Sequence, residues 1–207
     1  MNEAEKLATI FEKFPGIGPR QARRFVYFLL KSGSTYRGSL EQAIHSLAQN
    51  IHECTKCQRY YSGDNALVCG LCENPARNSE QLLIVEKDAD LDQLEKSGAY
   101  SGRYYVLGTR VKLTDSSGNL PNKHKLLKLI EDSKNLNEII LALPTTTEGE
   151  HTASVVQNII KQARENHSTG SGHGNIKITM LGRGLSTGAE LEYADGATLK
   201  SALESRL

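Results

Sequence analysis

The chain lacks an excess of charge of either sign, any long apolar run, any internal repeat, and any cysteine outside one short stretch. Its 25 Lys and Arg against 24 Asp and Glu leave a net charge of +1, so the overall balance does not point to nucleic acid. No segment approaches the ~20 consecutive apolar residues of a membrane span, and the opening Met1-Asn-Glu-Ala-Glu-Lys6 is charged where a signal peptide would be apolar. A soluble, cytoplasmic protein with no membrane partner is expected. At 207 residues there is room for a core of ordinary size with small appendages. The charge is unevenly spread. Residues 1 to 78 carry ten basic and seven acidic side chains, a net of +3, which leaves fifteen against seventeen, a net of −2, for residues 79 to 207.

All four cysteines lie between positions 54 and 72, as Cys54-Thr-Lys-Cys57, eleven residues, and Cys69-Gly-Leu-Cys72. Two Cys-x-x-Cys pairs can each close on one ion and together fill a tetrahedron, which is the ligand set of a structural zinc site. The competing reading is two disulfides or free buried thiols, and the reducing compartment expected for this chain disfavours the disulfides. The eleven residues between the pairs hold too few apolar side chains for a core, so the metal must supply much of the local folding energy. With four sulfurs present, His45 and His52 are read as surface or packing residues.

Ahead of the cysteines, Leu7, Ile10, Phe11 and Phe14 follow helical spacing up to Pro15. Pro15-Gly-Ile-Gly-Pro19 then predicts a tight turn with both glycines able to take positive φ, and Pro19 suits the first position of a second helix running to about Lys31. This arrangement resembles a helix-hairpin-helix, a binder of the DNA backbone. Gly16 and Gly18 would let the hairpin backbone approach a phosphate, and Arg20 and Arg24 would pair with its neighbours. An αα-hairpin that merely packs is the alternative. Residues 32 to 40 read as a turn-rich loop, followed by a helix from about Leu40 to His52.

After Cys72 the pattern changes to short apolar runs, at 82–85, 104–107, 139–143 and 176–181, alternating with helical stretches at 89–97, 122–134 and 150–165. Such alternation predicts an α/β layer on a largely parallel sheet, whose working edge lies at the carboxyl ends of the strands. Glu86 follows the first run, and the cluster holding Glu148 and Glu150 follows the third. Both are expected at that edge. The glycine- and serine-rich residues 165–175 read as a flexible loop, and a short helix is expected from about Ala197 to Leu207.

Hairpin, four-cysteine finger, Val85-Glu86, Glu148-Gly-Glu150, Arg183-Gly-Leu185 and Leu191-Glu-Tyr-Ala-Asp195 occur in an order that resembles the RecR family of bacterial recombination mediators. The resemblance covers nearly the whole chain. It implies an α+β multidomain protein: a helix-hairpin-helix domain at residues 1–53, a C4 zinc finger at 54–72, a Toprim domain with a mostly parallel sheet at 80–182, and a C-terminal segment at 183–207. It further implies one structural Zn2+ on Cys54, Cys57, Cys69 and Cys72, and DNA contact through Gly16, Gly18, Arg20 and Arg24. Homo-oligomers, dimeric or closed as a tetrameric ring around DNA, and partnership with RecO and RecF in loading the RecA recombinase at gaps are implied as well. Glu86, Glu148 and Glu150 match the family's acidic Toprim positions, where a partner or subunit contact is expected. The chain departs from the family in having Leu107-Gly-Thr109 for Leu-Gly-Gly and Leu143 before Pro144.

Two other functions compete with this one. A magnesium-dependent Toprim nuclease or strand-cleaving enzyme takes its ligands from a glutamate after the first strand and an Asp-x-Asp pair after a later one. The run Leu141-Ala-Leu-Pro-Thr-Thr-Thr147 has no such pair, so no enzymatic activity is expected. A zinc-stapled scaffold binding only protein would differ in not being retained on DNA.

Overall fold

A computed structural model describes residues 2–63, 67–114, 120–166, 176–181, 192, 194 and 196–204. The chain divides into two compact units, Met1–Ile51 and His52–Leu207.

In the first unit, helices α1 (Glu3–Phe11) and α2 (Pro19–Lys31), joined by the hairpin, pack against each other. A capping box starts α1, with the Asn2 side chain accepting from the Glu5 amide and the Glu5 carboxylate accepting from the Asn2 amide. Ala8, Ala22 and Val26 make the small core, with Leu7, Phe11 and Ile17 against it. The residues expected to form a loop at 32–40 are instead mostly helical, because α3 runs from Ser34 to Asn50. Only Ser32 and Gly33 break the chain. The Arg37 guanidinium donates to the carbonyls of Leu29 and Ser32, satisfying acceptors that the end of α2 leaves open, and this lets a new helix start at once.

A two-stranded ribbon, β1 (Ile51–Glu53, all but its first residue in the second unit) and β2 (Tyr60–Ser62), is followed by the short helix α4 (Gly70–Glu73). There follow β3 (Asn78–Val85), α5 (Asp88–Ser97), β4 (Gly102–Val106), α6 (Lys123–Asp132), β5 (Glu138–Ala142), α7 (Thr147–Asn166), β6 (Lys177–Met180) and α8 (Gly196–Glu204). The four later strands form one parallel sheet in the order β4-β3-β5-β6. Alternate strand residues feed two cores. Leu82, Ile84, Tyr105, Ile139 and Leu141 meet Leu126, Ile130, Val156 and Ile160 of α6 and α7, while Leu83, Val85, Tyr104 and Val106 meet Leu91 of α5 and Leu71 of α4. A sheet covered on both faces explains why its strands read as nearly unbroken apolar runs. The tyrosine pair at 104 and 105 is buried, one ring in each core.

The chain leaves β3 toward β4 on one side and returns to β5 on the other, so β3 and β5 flank the topological switch point. Loops at their carboxyl ends diverge there and leave a crevice. Glu86 and the start of α7 lie at that crevice. The expected loop at 165–175 falls largely outside the described residues, as do Arg183-Gly-Leu185 and most of Leu191–Asp195.

Candidate metal centre, hairpin and acidic edge

The four cysteine sulfurs all lie within 4.8 Å of one another, with Cys57 Sγ 3.6 Å from Cys69 Sγ. Bonds of about 2.3 Å to a tetrahedral zinc would separate sulfurs by about 3.8 Å, so the cluster has the right size. Neither histidine belongs to it. Gln58 takes a left-handed φ of 63° immediately after Cys57 and turns the chain back. Its side-chain amide donates to the carbonyls of Cys54 and Thr55, and its oxygen accepts from Lys125 Nζ at 2.6 Å. The Cys69 amide points at Cys54 Sγ, 3.3 Å away, a donor that suits a thiolate.

Four thiols this close cannot all ionise alone. Hydrogen bonds from Cys57, Cys69 and Cys72 draw the Cys54 thiol down, while the bond to Cys54 pushes Cys57 and Cys72 up. A divalent cation removes that conflict, since it binds all four as thiolates. The donor set fits a zinc finger.

At the hairpin, the two expected positive-φ glycines are in fact one. Gly16 has φ +76°, whereas Gly18 is extended at φ −89° and serves as the N-cap of α2. An N-cap needs the extended region, and glycine there leaves the first amides of the helix without a side-chain acceptor. A Cβ at either glycine would meet nothing within 4 Å, so the rim of the turn is open. Arg20 and Arg24 are exposed on the first turns of α2, and Arg24 is steadied by a 3.0 Å bond to Gln21.

At the crevice the structure brings Glu86 and Glu148 together through a residue that sequence reasoning missed. Glu86 is only 3% exposed. The Nε of Arg110 donates to its Oε2 at 2.5 Å, and Arg110 Nη1 lies 3.7 Å from Glu148 Oε2. Lys87 Nζ stands 3.4 Å from the other Glu86 oxygen. The carboxylate beside it raises the affinity of the Arg110 guanidinium for its proton. Glu148 and Glu150 sit in the first turn of α7, and Gly149 between them is required by packing, because a Cβ there would collide with the Pro144 carbonyl. A cation a few residues beyond the second strand, next to an acid closing the first, was the available signal, since those two strands are parallel neighbours.

The fold and site together define a protein with a Toprim-type sheet and a four-cysteine finger. The Toprim domain family matches residues 80–169, and the RecR C-terminal family matches residues 184–206. Recombination protein RecR of Methylobacterium radiotolerans is 35% identical over 206 residues, covering 99% of this chain and 94% of that protein. The RecR proteins of Coxiella burnetii (35% identical, 98% of this chain and 94% of the relative) and Cereibacter sphaeroides (32%, 99% and 96%) align as fully. The chain belongs to the RecR family.

Proposed function

We propose that this protein is a non-enzymatic DNA clamp and adaptor in recombinational repair, working in the cytoplasm with RecO and RecF to load RecA recombinase at gaps. The observation that carries the DNA reading is the open hairpin rim. Exposed amides at the N-terminus of α2, flanked by Arg20 and Arg24, offer phosphates both hydrogen bonds and charge, with nothing shaped for base edges. Binding is therefore sequence-independent. The metal of the finger is a single structural zinc held by Cys54, Cys57, Cys69 and Cys72.

Self-association is supported by the first unit. No residue of α3 is buried, and Ile44 and Leu47 are 60% and 59% exposed on it. Phe28, at the far side of an edge-on contact with Tyr36, is equally bare. A soluble monomer rarely leaves such an apolar stripe in water, and a second copy of the chain would cover it. Glu148 and Glu150, projecting from the start of α7, are assigned to contact with a partner protein or neighbouring subunit.

The test is the mass of the purified protein in solution, with and without gapped DNA. A defined oligomer that retains DNA supports the clamp. A monomer that stays monomeric on DNA rejects it.

A further inference from the structure

The acidic edge of the sheet holds a cation, Arg110, to which the proposed adaptor role assigns no part. Enzymes with this type of domain hold a divalent cation between a glutamate after the first strand and carboxylates from a later loop. In this chain the corresponding place is filled by a side chain. Arg110 Nε is bonded to Glu86 Oε2 at 2.5 Å and Nη1 reaches Glu148 Oε2 at 3.7 Å, so one guanidinium spans the two carboxylates. We infer that Arg110 is a built-in cation that takes the place of a divalent metal between Glu86 and Glu148, making the edge a latent metal site kept closed by the chain itself.

Three features argue that this contact is constructed. The loop carrying Arg110 is tied on both sides: Gly108 turns at φ +69° and its amide donates to the Glu86 carbonyl at 2.9 Å, while the Val111 amide donates to Thr152 Oγ1 at 3.0 Å. Thr152 in turn donates to the Glu148 carbonyl at 2.7 Å, so the same short network sets the position of Arg110 and of the turn bearing Glu148. Glu86 is buried, and a buried carboxylate must have a counter-charge. Arg110 and Lys87 supply it, one to each oxygen.

Charge then decides what else can enter. A guanidinium keeps its proton across the accessible pH range, so Arg110 brings a permanent positive charge to this point. A hydrated magnesium ion would have to shed water and meet a fixed positive charge at the same point, and it dehydrates reluctantly. Removing the guanidinium reverses both effects. It leaves a buried carboxylate short of a counter-ion, with Glu148 alongside, which is the start of a cation site.

The experiment is a titration of the full chain with Mn2+, free ion being read by electron paramagnetic resonance. Wild type, Glu86→Gln, Arg110→Gln and the double variant are compared. The expected result is an additional equivalent of Mn2+ in Arg110→Gln, bound about tenfold tighter than any Glu86-dependent binding by wild type, and lost again in the double variant. Wild type that already binds an equivalent abolished by Glu86→Gln overturns the inference, as does a folded Arg110→Gln variant with no gain. Should Arg110→Gln not fold, the wild-type Arg110 Nε–H resonance decides. Slow solvent exchange that millimolar Mg2+ leaves unchanged upholds the tethered cation, and exchange accelerated by Mg2+ refutes it.

Discussion

The carbonyl of Cys57 accepts a hydrogen bond from the amide of Val106 at 2.8 Å. A predicted metal ligand is thus bonded directly to β4, one of the two outer strands of the parallel sheet. Neighbouring contacts repeat the attachment: the Tyr60 amide donates to Asp88 at the start of α5, Arg59 pairs with Asp92, and Lys125 of α6 holds Gln58 and Glu53. The finger is built into the edge of the sheet, where it covers backbone that would otherwise be exposed.

Metal removal should therefore be felt in the sheet. Chelation, or Cys54→Ser, is expected to abolish a stoichiometry of about one zinc per chain and to speed hydrogen exchange at Val106 while amides of β5 stay protected. Full metal occupancy in the variant, or unchanged exchange at Val106, would count against the coupling.

Gln58 offers a separate test of the knuckle. Its left-handed backbone costs an ordinary residue about 1 kcal/mol, and a β-branched one more, whereas its side chain bonds Cys54, Thr55 and Lys125. Gln58→Val should lose both backbone fit and bonds, lowering stability by about 2–4 kcal/mol in urea unfolding. Gln58→Gly should lose clearly less.

Two glycines in helices should respond in opposite senses to alanine. Gly149→Ala forces a methyl into the Pro144 carbonyl and is expected to cost about 1–3 kcal/mol. Gly38, inside α3 with open space around it, should tolerate alanine and gain about 0.5–1 kcal/mol of helix stability. Thermal melts of the two variants read the contrast.

Arg77 and Glu95 make a two-pronged pair at 3.0 and 2.7 Å, with the guanidinium 5.2 Å over the Tyr104 ring and its Nε bonded to the Gly102 carbonyl. Burial alone would raise the Glu95 pKa, but the bonds and charge of Arg77 outweigh it and hold the carboxyl below its ordinary value. With the folded pKa depressed, the pair contributes its stability above the unfolded value of about 4.3 and loses it as pH falls through the folded pKa. Glu95→Gln should cost about 1–3 kcal/mol near neutrality and little at the acid end, so its urea midpoint converges on wild type there. A constant difference across that range would place the effect elsewhere.

Much of this was legible in the sequence, for identifiable reasons. The second hairpin helix was expected from Pro19 to about Lys31 and runs there, since proline at its start and an amphipathic period are local signals. The apolar runs at 82–85, 104–107, 139–143 and 176–181 each contain or overlap a strand of the sheet; the first three are continuous because those strands are largely covered, whereas the end strand β6 leaves Lys177 and Met180 exposed. The cysteine cluster followed from spacing alone. What stayed hidden depended on distant partners. Ser34 to Ser39 look like turn residues until Arg37 is seen closing the end of α2. Nothing about Gln58 as a residue type announces positive φ. Arg110 is 24 positions from Glu86, and only the pairing of β3 with β4 brings the loops after them together.

Whether the hairpin grips DNA by its phosphates is read from the salt dependence of DNA affinity. Wild type and Arg20→Ala/Arg24→Ala are compared on oligonucleotides of unrelated sequence. Each phosphate neutralised contributes roughly 0.7–0.9 to the slope of log affinity against log salt concentration, so the double variant should have a slope shallower by roughly 1.4–1.8 for each hairpin engaged, with similar affinity across sequences. An unchanged slope in the double variant would mean that Arg20 and Arg24 do not hold phosphates and that the DNA surface lies elsewhere.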